Sequence, residues 1–146
     1  MKTPLEGGCL CTAVRYRVRS VFDAGYCHCS ICRRVHGVPA LTWFNVPEQD
    51  FELLRGEARG FRSSEFFTRY FCPACGTHVY GTDARPPQPK VGARLVSLAI
   101  GTLDEPEEVR PTIHEWYADR VSWFEVKDTL PRVEDGKLPH PTARGR

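Results

Sequence analysis

A chain of 146 residues is long enough for one domain with a buried core, and its 41% hydrophobic and 26% charged residues are those of an ordinary globular protein. A formal net charge of +2 does not call for nucleic acid or an anionic membrane as a partner. No apolar run approaches the ~20 residues of a membrane span, and a start broken by Glu6, Gly7 and Gly8 lacks the apolar stretch of a signal peptide, so a cytoplasmic protein is expected.

In chain order, residues 1–8 read as a lead-in ending in Gly7-Gly8. Cys9 and Cys11 then open a strand over Thr12 to Arg19, where Val14, Tyr16 and Val18 alternate with Arg15, Arg17 and Arg19. Tyr26 to Cys29 reads as another short strand. Ser30 is the expected N-cap of a helical turn over Ile31 to His36, closed by Gly37. Ala40 to Val46, rich in aromatic and β-branched residues, is a strand in which Trp43 or Phe44 could wall a small pocket. Pro47 to Gly56 reads as a turn and a short apolar segment. Phe61 and Phe66 to Phe71 predict a hairpin with Arg62 to Glu65 in or near its turn. Asp83 to Ala93, with Pro86, Pro87 and Pro89, reads as a surface loop near the site. Leu95 to Ile100, Thr112 to Tyr117 and Val121 to Val126 are the remaining strands, and the end from Pro131 to Arg146 is expected to fray. Roughly eight or nine short strands and no long helix predict a mostly-β domain.

The chemistry lies in the seven cysteines. In a reducing compartment clustered pairs bind metal more often than they form disulfides, and an odd number would leave one thiol unpaired. Cys27, Cys29 and Cys32 crowd into Tyr26-Cys27-His28-Cys29-Ser30-Ile31-Cys32-Arg33-Arg34-Val35-His36-Gly37. In an extended segment residues two apart share a face, so Cys27 and Cys29 reach one point and a turn returns Cys32 to it. Cys72-Pro73-Ala74-Cys75-Gly76 is a knuckle: proline pre-sets the turn and glycine permits φ > 0 after it. Cys9 and Cys11 supply the second pair. Seven thiols thus divide into four, which close a structural zinc site, and three, which leave one position open as catalytic zinc sites do. A zinc on three thiolates is a weak Lewis acid for water and is better suited to hold a fourth sulfur. Arg33 and Arg34 follow the cluster directly. They are solvated, offset its charge, or hold an anionic substrate. His36, one turn after Cys32, is a helix-end residue, a fourth ligand or a proton carrier.

The order of these motifs resembles the glutathione-dependent formaldehyde-activating enzyme family, also called the centromere protein V family. The resemblance rests on Gly8-Cys9-Leu10-Cys11, on Cys27 to Arg34, and on Phe71-Cys72-Pro73-Ala74-Cys75-Gly76. Gly101-Thr102-Leu103-Asp104 and His114-Glu115-Trp116 leading to Trp123 add to it. It covers roughly residues 5–135, taken as one zinc domain, with 136–146 as a flexible tail. It implies an Mss4-like fold of twisted antiparallel sheets with two zinc ions per chain. One is structural, at Cys9, Cys11, Cys72 and Cys75, and one is catalytic, at Cys27, Cys29 and Cys32. The implied activity is of carbon–sulfur lyase type, joining a glutathione-like small-molecule thiol to a small aldehyde, with Arg33, Arg34 and His36 as candidate substrate-binding residues. The alternative is a non-catalytic Mss4-like module that binds a protein or ligand.

Overall fold

Short alternating stretches separated by turns give ten strands and one helix of seven residues in the computed structural model, which describes residues 3–135. They are β1 (Leu5–Gly8), β2 (Arg15–Val18), β3 (Asp23–Cys27), α1 (Ser30–His36), β4 (Leu41–Pro47), β5 (Phe51–Arg55), β6 (Arg59–Arg62), β7 (Phe67–Phe71), β8 (His78–Asp83), β9 (Leu95–Ala99) and β10 (His114–Glu115). A three-stranded sheet has the order β1-β2-β5, and a seven-stranded sheet the order β10-β3-β4-β9-β8-β7-β6. The fold is mainly β in twisted sheets, as expected. All pairings between these strands are antiparallel except β3 with β10. No helix among the described residues is long and apolar enough to cross a membrane.

Period-two alternation gives the large sheet two different faces. Phe44, Val46, Val96, Leu98 and Tyr80 turn one way and pack against Leu5, Tyr16 and Val18 of the small sheet. Phe51 closes this core with its ring 4.8 Å from Tyr80. The other face carries the neighbours of those residues in register. Cys27 pairs with Leu41, Gly25 with Trp43 and Asp23 with Asn45. Asn45 pairs with Ser97, Ser97 with Gly81, and Gly81 with Arg69. One row of positions therefore runs across five strands on the side away from the core.

Three expectations are corrected. The lead-in is a strand, β1, with Leu5 buried. Its glycine is what allows it: a Cβ on Gly7 would lie 2.4 Å from the Tyr16 hydroxyl and from the Thr102 carbonyl. Val121 to Val126 forms no strand, and Trp123 stands 75% exposed. The segment expected to fray from Pro131 is held through residue 133. His114 donates its amide to the Pro131 carbonyl at 2.8 Å, and Val133 donates to the His114 carbonyl at 2.8 Å. The expected tail, 136–146, lies outside the described residues.

Candidate metal centres and the adjoining cavity

The first cluster joins two turns, one from each sheet. Between β1 and β2 the chain doubles back, with the Cys9 amide donating to the Val14 carbonyl at 3.0 Å and Thr12 at φ 63°. Between β7 and β8 the knuckle closes as the sequence predicts: Gly76 has φ 77° and donates to the Cys72 carbonyl at 2.8 Å. The Sγ atoms of Cys9, Cys11, Cys72 and Cys75 all lie within 4.8 Å of one another. Cys9 and Cys11 are 3.6 Å apart, and Cys11 and Cys72 3.7 Å. Two thiolates on a tetrahedral zinc at ~2.3 Å stand ~3.8 Å apart, so these sulfurs fit such an ion. The Val14 amide donates to Cys9 Sγ at 3.2 Å. Thr77, which no motif singles out, links the two turns: its Oγ1 accepts from the Leu10 amide at 3.2 Å and lies 3.3 Å from Cys75 Sγ. Hydrogen bonds from the Thr77 hydroxyl and amide bring the Cys75 thiol down to about 5.

The second cluster sits where β3 becomes α1. Cys27 ends the strand. Cys29, rather than Ser30, is the N-cap, because its sulfur accepts the Cys32 amide at 3.3 Å. Gly37 closes the helix at φ 64°, as expected. The three sulfurs lie within 4.8 Å of one another, and no fourth His, Cys, Asp or Glu of the described residues joins them. His36 therefore does not complete the set. Hydrogen bonds from Cys27 and Cys29 hold the Cys32 thiol well below its ordinary range, aided by Arg69, and the same contacts push Cys27 well above. Three sulfurs this close cannot all ionise without a cation among them. The donor set is soft and short of four, which suits zinc with a vacant corner. All seven cysteines are free thiols.

The second cluster opens into a cavity of about 190 Å³ over the outer face of the large sheet. Trp43 lines it while Phe44 is core. His36 lines it too. Arg33 and Arg34 do not. The cations that do are Arg69 and Arg85, neither of which stands beside a cysteine in sequence. Arg69 is 8% exposed and donates from Nη2 to Cys32 Sγ at 3.8 Å and from Nε to Ser63 Oγ at 3.1 Å. Its guanidinium carbon stands 4.8 Å from the centre of the Phe67 ring. Arg85 is paired with Asp83, donating from Nε to both carboxylate oxygens at 3.0 Å. His36 and His78 meet edge to face with centres 4.4 Å apart. Burial holds them neutral down to about 4 and about 3, respectively. Glu115, in register with Cys27, is 8% exposed and also lines the cavity.

Alternation points His28 away from its cysteine neighbours, into a second buried group. The Asp128 carboxylate accepts from His114 Nε2 at 3.0 Å, which leaves His114 Nδ1 to accept from His28 Nε2 at 2.9 Å. Tyr26 stacks on His114 at 4.6 Å. This chain braces the short β3–β10 pairing directly behind Cys27 and Cys29.

Residues 4–119 match the family model described as glutathione-dependent formaldehyde-activating enzyme. The chain belongs to that family. A Halomonas elongata protein that carries a provisional name as a glutathione-dependent formaldehyde-activating enzyme is 28% identical over 134 residues, 84% of this chain and 81% of its own. A crystal structure of a Rhodobacter sphaeroides protein is 23% identical and covers 73% of this chain and 91% of that one, with a TM-score of 0.51. That likeness bears on the fold. Within the family, the chain carries two cysteine clusters able to hold metal ions.

Proposed function

We propose that this family member is a zinc-dependent enzyme of carbon–sulfur lyase type, which joins a glutathione-like thiol to a small aldehyde or takes the adduct apart. Cys27, Cys29 and Cys32 would hold the catalytic zinc. Cys9, Cys11, Cys72 and Cys75 would hold a structural one. The observation that carries this reading is a set of three convergent sulfurs, joined by no fourth His, Cys, Asp or Glu among the described residues, that line a cavity.

When bound there, zinc supplies a place for a substrate thiol to lose its proton and stay nucleophilic. The protein's own groups do the rest. Arg69 faces Cys32 and offsets the negative charge of a sulfur-rich centre. The apolar side chains beside it, Trp43 and Phe67, lower the local dielectric, which strengthens that interaction. His36, neutral above about 4 and lining the cavity, is the candidate to receive the thiol proton and pass it to the developing alkoxide. Arg33 and Arg34, on α1 but outside the cavity lining, are assigned to a carboxylate of the thiol that stays outside. Seven free thiols suit a reducing compartment, so the cytoplasm is the proposed location, with residues 5–135 as the working domain.

The test is Cys32→Ser. We expect the variant to keep its fold, to fall from two zinc ions per chain to one, and to lose aldehyde–thiol turnover. A variant with one ion and full turnover would remove the open site from the reaction.

A further inference from the structure

Formaldehyde has two heavy atoms, yet the space beside the three sulfurs is about 190 Å³, several times what a molecule of that size fills. Beside polar side chains that include the carboxylates of Asp23, Asp83 and Glu115, its lining carries an apolar patch with four aromatic rings: Leu41, Trp43 and Leu95 on the sheet, with Phe66, Phe67 and Trp116 around them. Glutathione brings two carboxylates and an ammonium. The two arginines that line the cavity are already engaged, Arg69 with Ser63 and Cys32 and Arg85 with Asp83. The charged ends of such a thiol are therefore poorly matched to this interior. An uncharged ring is well matched.

The aromatic walls are also held in place. Phe67 lies across the bare backbone of Gly81, where a Cβ would come within 2.4 Å of its ring atoms. Trp116 keeps a left-handed backbone at φ 56°, ψ 41°, which is unusual for a bulky residue and lies next to Glu115, the register partner of Cys27. Phe66 remains 42% exposed while lining the cavity, under the guanidinium of Arg85 at 5.8 Å.

From this we infer that the aldehyde partner is an aryl aldehyde, its ring seated among Trp43, Phe66, Phe67 and Trp116 while the thiol sulfur reaches the three-cysteine centre. The inference rests on the lyase reading above and names its substrate class. In the forward direction the sulfur lone pair forms the S–C bond as the carbonyl π pair moves to oxygen. The thiol proton ends on that oxygen as the hydroxyl of a hemithioacetal. No oxidant, reductant or co-reactant is needed.

Two measurements on the zinc-loaded full chain test this. Isothermal titration compares S-benzylglutathione with S-methylglutathione as stable probes. Exchange NMR compares glutathione adduct formation from benzaldehyde and from formaldehyde. The benzyl probe is expected to bind at least ~10-fold more tightly, the scale of burying an aromatic ring. Leu95→Trp, checked for zinc content and circular dichroism, is expected to abolish that margin by filling the cavity. Equal binding of the two probes, tighter binding of the methyl probe, or a margin unchanged in Leu95→Trp overturns the inference. Preferential benzyl binding without turnover of either aldehyde leaves the cavity assignment standing and removes the lyase reading. Turnover of formaldehyde without a benzyl preference does the reverse.

Discussion

Removing the zinc proposed for the four-sulfur cluster tests what holds the two sheets together. Cys11 and Cys72 are 61 residues apart in sequence, and their sulfurs are 3.7 Å apart in the fold. A covalent link closing a loop of that length would remove about 4 kcal/mol of unfolded-chain entropy. A metal leaves the unfolded chain, so its contribution is its binding free energy, ~10–16 kcal/mol for structural zinc sites. That matches or exceeds the 5–15 kcal/mol that holds a typical domain together. Taking the lower figure of about 4 kcal/mol, the melting temperature should drop by roughly 8–16 °C or more for a chain of this size. Cys72 is fully buried, and serine there is a hard, poor ligand for zinc, so Cys72→Ser should reproduce the effect of a chelator. The assay is thermal unfolding by circular dichroism with metal counted at each step. Cys32→Ser is the control, since its cluster lies within one segment of the large sheet and ties no two sheets. If a protein stripped of both ions melts within about 2 °C of the loaded one, the cluster is not what joins the sheets.

Other expectations follow from single contacts. Arg69→Met deletes the charge facing Cys32 Sγ. A charge-assisted hydrogen bond is worth ~1.5–3 kcal/mol, so thiol affinity at the open centre should weaken roughly 10- to 100-fold, with Arg69→Lys restoring part of it. Titrating thiol into the cobalt-substituted protein reads this directly, and unchanged affinity in the methionine variant would count against Arg69. His78 is held at about 3 by burial, then by His36 and Arg69, against an ordinary value of 6.5. The native state thus binds fewer protons than the unfolded chain between these values. Stability from this group is complete above pH ~6.5 and falls on acidification by up to ~1.4 kcal/mol per pH unit, levelling near pH 3. His78→Phe should flatten the acid limb in urea unfolding at pH 7, 6 and 5, and an identical slope would refute the assignment. Tyr16→Phe loses the 2.9 Å hydrogen bond between the buried Tyr16 hydroxyl and Thr102 Oγ1. It should cost ~1 kcal/mol, seen as a lower urea midpoint at unchanged slope; no shift would mean that water or another group replaces the bond.

What could be read from the chain was whatever its local spacing determines. The Cys-x-Cys pairs, the knuckle with its φ > 0 glycine, and the Gly37 stop each depend on neighbours a few residues away, and each is in place. The cavity depends instead on register between distant strands. Arg69 comes over the cluster because β7 pairs with β8, β8 with β9, β9 with β4, and β4 with β3. The one local sign was a cation inside the alternating aromatic run Phe67, Arg69, Phe71. Sequence adjacency also misled. Each residue of a helix turns ~100°, so when Cys32 faces the cluster, Arg33 and Arg34 are carried round from it. The His28–His114–Asp128 chain spans 86 and 14 residues in its two steps, and no short motif encodes it.

The large sheet keeps stability and chemistry on opposite sides of the same strands. Along β4 Trp43 lines the cavity while its neighbour Phe44 is core. A substitution that changes the outer face alone leaves the interdigitated core and the four-sulfur cluster untouched. Gly81 is the sharpest case. Its Cβ would strike Phe67 on the cavity side, so Gly81→Ala must move the aromatic wall while the core behind it stays in place. That variant should alter the probe preference by more than it alters the melting temperature. A large fall in melting temperature with an unchanged preference would mean that Phe67 belongs to the core and that the two faces are not independent.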